Sequence, residues 1–263
     1  MALGKNENNL PSITFVNLVG GPKGGFMHQT GVSTNDDGSV TRHKTAYANV
    51  TGKLVTVKVE EQLKYGVAKK LRDQGMDPRK ADLGTFKPFE KHWVGRLVLR
   101  DHEDVSIGVG FDLDESMGAK LAGLLNAHLM AGDIEKPVMI RMFHAAAGSK
   151  YTTSPKGSDT LNMSPYDPAG RRDVKVDDVV PVFLKDDGSV LMNQAGDGPG
   201  MAPMGEMYET RSGSTEWDFS ARDNVVMNTI VPLVEHFATK DKPAPADGDV
   251  DLAEAAHAAT PRG

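Results

Sequence analysis

The chain has 263 residues, 30 Lys or Arg against 36 Asp or Glu, and no cysteine. Its apolar content of 39% suits a folded chain, and 28 Gly with 15 Pro imply much loop. The missing cysteines exclude thiolate zinc sites and cysteine nucleophiles and favour a reducing compartment.

The polar stretch Met1 to Leu10 precedes no apolar run, so no signal peptide or membrane span is expected, and a cytoplasmic protein is (host cytoplasm for a viral one). Ser12 to Val19 reads as a strand. Gly20 to Gly25 superficially suggests a phosphate loop, but it lacks the Gly-Lys-Ser/Thr ending and reads as a surface turn. Asn35 to Gly38 and Asp186 to Gly188 are hairpin turn signals without calcium-loop spacing.

Lys53 to Val59 alternates as a strand, with Val55, Val57 and Val59 on one face and Leu54, Thr56 and Lys58 on the other. Glu60 to Gln74 places Leu63, Val67 and Leu71 at helical spacing before Gly75, with a long hairpin arm as the alternative. A Pro- and Lys-containing insertion, Met76 to Lys91, follows. Trp93 to Arg100 is a strand with Arg96 and Arg100 on one face and Leu97 and Leu99 on the other. Val105 to Leu113 alternates too, its odd positions inward; Gly108 and Gly110, facing outward, read as bend points.

Ser116 caps a helix with Met117, Leu121, Leu124, Leu125 and Leu129 on one stripe, stopped by Gly132. A strand opened by Pro137 turns Val138, Ile140 and Met142 inward and Arg141 and Phe143 outward. Gly148 to Arg172 reads as loop, Val179 to Met192 as a hairpin, and Asn193 to Gly213 as a Gly/Pro/Met-rich connector. Asn224 to Phe237 should dock on the core, with Pro232 breaking any helix there. The fold class is thus mainly β: a five-stranded OB-type antiparallel barrel with one capping helix, a β-rich extension and a disordered C-terminal tail. Residues 1–193 form the nucleic-acid-binding domain with a basic insertion at 60–92, residues 194–239 a connector and docking segment, and residues 240–263 the acidic tail.

Charge is segregated. Thr41 to Arg100 carries fourteen Lys or Arg against six Asp or Glu, although the whole chain is at −6. Four aromatics, Tyr65, Phe86, Phe89 and Trp93, interleave with those cations, the footprint of base stacking with phosphate neutralisation. The candidate DNA-binding residues are Lys58, Tyr65, Lys69, Lys70, Arg72, Phe86, Lys87, Phe89, Lys91, Trp93, Arg96, Arg100, Arg141 and Phe143. Trp93 shares the parity of Leu97 and Leu99, which favours core packing for it.

Gly52-Lys53-Leu54, Trp93 to Asp101, Ile107 to Phe111, Leu124 to Leu129 and Val138-Met139-Ile140 together resemble the OB-fold single-stranded DNA-binding proteins of tailed bacteriophages. The resemblance covers roughly residues 45 to 145 and implies sequence-independent binding of single-stranded DNA in replication, recombination or repair, with replication proteins as further expected partners. Two departures stand out: the basic insertion between Val59 and Trp93 is long, and the C-terminus lacks the acidic segment with a terminal aromatic found in bacterial single-strand binders.

No catalytic signature competes. The eight His residues form no His-x-x-x-His pair, and no Gly-x-Ser-x-Gly elbow occurs. Asp112, Asp114 and Glu115 could hold a metal, yet acids at a helix start also offset its dipole. The expectation is a non-enzymatic binder without cofactor or metal; a structural or assembly protein of a virion is the alternative.

Overall fold

The computed structural model describes residues 13–20, 25–35, 37, 39–101, 103–148, 155–166, 179–210 and 213–240. The 241–263 tail and most of the glycine-rich 20–25 loop lie outside them. Ten strands appear in order: β1 (Ile13–Val19), β2 (Gly25–Thr34), β3 (Val40–Tyr47), β4 (Asn49–Leu63), β5 (Lys91–Arg100), β6 (Ser106–Asp112), β7 (Val138–Ala145), β8 (Ser158–Pro165), β9 (Glu206–Glu209) and β10 (Thr215–Asp218). Helix α1 (Tyr65–Asp73) and three 3₁₀ turns, Pro78–Lys80, Leu83–Thr85 and Pro88–Glu90, separate β4 from β5. Helix α2 (Ser116–Met130) lies between β6 and β7, and α3 (Ser220–Lys240) follows β10.

Eight strands, not five, make one curled mixed sheet in the order β3-β2-β1-β6-β5-β4-β7-β8. The expected all-antiparallel pairing holds except at β1 and β6, which run parallel with Phe15 opposite Gly108. Among the described residues the sheet is a half-barrel with free edges at β3 and β8, rather than closed. The stretch from Gly148 to Arg172, expected as loop, contains β8. Its inner residues Leu161 and Met163 are buried opposite Met142 and Ile140, a partnership invisible in so polar a strand. The connector likewise contains a separate ribbon, β9 with β10.

Strand β4 serves both halves of the sheet. Asn49 to Gly52 pair with β7 and Lys53 to Leu63 with β5. Gly52 sits at the handover with φ 148°, where a Cβ would lie 2.7 Å from the Arg100 carbonyl oxygen; only glycine allows that approach. A bulge at Val55 then shifts the register, because Leu54 opposes Leu99 while Thr56 opposes Val98. This corrects the expected facing: Leu54 and Val57 are both buried in the core and Val55 is not. The strand also continues through Glu60 to Leu63, residues expected to be helical. Cross-strand pairing with Lys91 to Val94 outweighs their helical spacing, and α1 begins at Tyr65. Gly75, with φ 76°, ends it as expected.

The inner face of the sheet packs on α2 and α3. Leu97, Leu99, Val109, Phe111, Ile140 and Met163 meet Leu121, Leu124 and Leu125 of α2 and Val226, Ile230, Leu233 and Phe237 of α3. Helix α2 is buried on more than its Leu stripe, since Gly123 admits Pro181 and Phe183 and Asn126 donates to the Val182 carbonyl. Its N-cap is Glu115, not Ser116. The expected hairpin at 179–192 is a tight turn closed by a single bridge, Leu184 to Val190. Helix α3 runs through Pro232 without a break, correcting the expected interruption. Its buried stripe from Val226 to Phe237 holds both halves on the core, offsetting a local cost of about 3 kcal/mol.

Candidate nucleic-acid interface

The outer face of the sheet is read from the register as cross-strand rows. One row runs Lys58, Arg96, Gly110, Asn17 across β4, β5, β6 and β1; the next runs Thr56, Val98, Gly108, Phe15. Beyond the bulge, Lys53, Arg100, Ser106 and Ile13 form a third. Lys58 and Arg96 are therefore directly opposite each other and exposed, with Arg100 exposed farther along the same strand.

Gly108 and Gly110, expected as bend points, also lie where side chains of β1 approach the backbone closely. A Cβ at Gly108 would lie 2.5 Å from the Phe15 ring, and one at Gly110 would lie 2.7 Å from Asn17 Oδ1. The two glycines form a floor on which outward side chains of β1 rest. Phe15 is seated there and is still 59% exposed. The sequence reading missed Phe15, because its partner strand lies about ninety residues away and the pairing is parallel.

Arg141 and Phe143 continue the outer face on β7: Arg141 opposes Asn49 and Asn162, and Phe143 opposes Thr160. In the insertion, Lys69, Lys70 and Arg72 are exposed on α1, and Tyr65 is 70% exposed at its start. Phe89 is 69% exposed beneath the Lys87 ammonium, 5.6 Å from its centroid, while Phe86 is half-buried. Between α1, the 3₁₀ turns and the ends of β4 and β5 lies an open cleft of about 700 Å³, whose wall includes Arg72, Arg79 and Arg96. Arg79 was not among the expected residues.

Two candidates are engaged elsewhere. Lys91 donates to Glu61 at 3.0 Å with its side chain only 16% exposed. Trp93 packs against the core, as its parity suggested. Arg96 pairs with Glu60 at 2.6 Å on an open surface, where such a pair yields readily to phosphate. Among the described residues, Lys58, Lys69, Lys70, Arg72, Arg79, Arg100 and Arg141 have no carboxylate partner.

A titratable group closes one end of this face. His92 Nδ1 donates to Asp112 Oδ2 at 2.5 Å, and Asp112 Oδ1 accepts from the Asp114 amide. The bond to Asp112 holds the His92 imidazole above its ordinary value despite burial. Burial pushes Asp112 upward, but His92 and the Asp114 amide together leave it lowered. Burial and the Asp112 charge raise both Asp114 and Glu115. These acids precede α2, and among the described residues no group of three or more His, Asp or Glu is arranged to hold a metal. No helix is long and apolar enough to cross a membrane among them. Comparison with known proteins gives no significant match to a family model, a curated protein or a solved structure.

Proposed function

We propose that this chain is a non-catalytic single-stranded DNA-binding protein acting in replication, recombination or repair with little sequence preference. The observation that carries the reading is one sheet face with Lys58 opposite Arg96 and an exposed Phe15 ring seated on Gly108. Cations neutralise phosphates and the ring offers a base its flat surface, an arrangement that tolerates any sequence.

Connectivity supports the same reading. Strands β6-β5-β4-β7-β8 are neighbours in that order, with α2 between β6 and β7. This is the order of an OB-type barrel whose first strand is β4, second β5 and third β6. OB-type domains bind oligonucleotides on the face of their second and third strands and with the loop joining the first two. Here that face carries Arg96, Arg100 and the Phe15 platform, and that loop is the insertion bearing Tyr65, Lys69, Lys70, Arg72, Phe86, Lys87 and Phe89. Lys58, Arg141 and Phe143 extend the path over β4 and β7.

Fluorescence anisotropy with labelled oligonucleotides between about 50 and 200 mM salt tests the reading. Affinity for a single strand should fall steeply with salt and exceed that for the matching duplex. Equal binding of both forms, or none at low salt, overturns it and favours a structural role.

A further inference from the structure

The β9–β10 ribbon packs extensively on no other element among the described residues, and all eight of its residues are exposed. Its register sorts them by chemistry. Met207 lies opposite Trp217 on one face, and Phe219 continues that face, stacked 6.1 Å from Trp217 and resting on Gly205. The other face opposes Tyr208 to Glu216 and Glu206 to Asp218. Trp217 is 53% exposed. A two-stranded ribbon is marginally stable alone, and an exposed apolar face rimmed by charge marks a docking surface.

The complementary surface is the cleft beside α1. Its arginines Arg72 and Arg79 have no carboxylate partner among the described residues, and its floor is apolar, made by Leu63, Ala68 and Leu83. Its volume of about 700 Å³ admits an indole side chain. The charges are opposite as well: residues 206–218 carry four carboxylates and one arginine, whereas the segment 41–100 is strongly basic.

We propose that the ribbon of one copy docks in the α1 cleft of a second copy, Trp217 and Met207 on the apolar floor and Glu209, which shares their face of the ribbon, toward Arg72 and Arg79. Because Arg72 and Arg96 border both this cleft and the DNA path, a bound strand displaces the ribbon. This competition rests on the single-strand-binding reading; the self-association itself does not. The contact joins two different patches, so it is heterologous and builds chains of copies unless it closes.

Sedimentation velocity of the full chain at low salt, over a range of protein concentrations, tests the proposal. Concentration-dependent association is expected, weakened roughly tenfold or more by Trp217→Ala and independently by Arg72→Glu with Arg79→Glu. Combining that cleft reversal with Glu209→Lys should restore association. A saturating short single-stranded oligonucleotide should disperse it. A monomer at every concentration, or association indifferent to both sets of variants, overturns the docking. Association that persists beside a bound oligonucleotide overturns the competition. Failure of the wild-type chain to bind any oligonucleotide instead sinks the single-strand-binding reading, and the variants still decide the self-association.

Discussion

Phe15→Ala separates stacking from packing at the point where the sheet face is most distinctive. The ring is 59% exposed, so about two fifths of its surface is covered, mainly where it rests on Gly108. Full burial of a Phe side chain stabilises by about 1.5–3 kcal/mol, so truncation here should cost about 1 kcal/mol of stability. That corresponds to a fall in Tm of about 2–4 °C for a chain of this size. A base stacked on the ring contributes about 1–3 kcal/mol, so affinity for a short single strand should fall about 5- to 150-fold. Trp93→Ala is the contrasting perturbation. Its half-buried ring packs against the core, so stability should drop by about 2 kcal/mol or more while the surviving folded protein keeps its affinity. Gly108→Ala tests the platform without removing the ring, since a Cβ 2.5 Å from the ring must lift it off β6. Paired thermal melts and anisotropy titrations at one salt concentration provide the readout. Undiminished affinity in a folded Phe15→Ala protein would refute the stacking platform.

Charge reversal at Lys69, Lys70 and Arg72 together should weaken single-strand binding and lower the magnitude of its log–log salt slope by about 2, read from the same titrations. Gly118→Ala should destabilise strongly, by about 3 kcal/mol or more in urea unfolding, because its Cβ would lie 1.8 Å from the Asp112 carbonyl oxygen. His92→Asn should flatten the pH dependence of Tm. The raised pKa of His92 gives stability that is full below its unfolded value, about 6.5, and lost as pH climbs through the folded value. The lowered pKa of Asp112 gives stability present above about 3.9 and lost as pH falls through the folded value, so the pair stabilises most between about pH 4 and 6.5. Melts of the two proteins across pH 4 to 9 check this, and parallel curves would exclude the pair as the cause.

Alternation revealed the strands whose two faces differ in polarity. Leu97 and Leu99 against Arg96 and Arg100, and Val138, Ile140 and Met142 against Arg141, were legible because each strand is apolar on one side only. Strand β8 was not, since Thr160 and Asn162 are buried along with Leu161 and Met163 and no period of two remains. The Val55 bulge hid the true inward set of β4, as one extra residue exchanges faces beyond it. Pro232 misled for a different reason: local cost was visible, whereas the packing of α3 on α2 is a tertiary fact. The cations of the interface were readable as a charged segment. Their ordering into rows was not, and neither was Phe15, because both depend on which strands pair.

The parallel pairing of β1 with β6 also dictates an order of assembly. Residues 13–19 leave the ribosome before the sheet's other strands, yet their partner edge exists only after residues 106–112 have been made. At about 5–20 residues per second, β1 and β2 spend several seconds exposed with Val16, Leu18 and Phe26, later buried, uncovered. Strand β3 joins them early, and its Arg42 and Lys44 put charge on the open edge of that nascent hairpin, which discourages pairing with neighbouring chains. The strand that supplies the Phe15 platform is thus made before the sheet's other strands yet must wait for β6 to be seated, and a truncated chain ending before β6 would leave it unpaired and prone to aggregate.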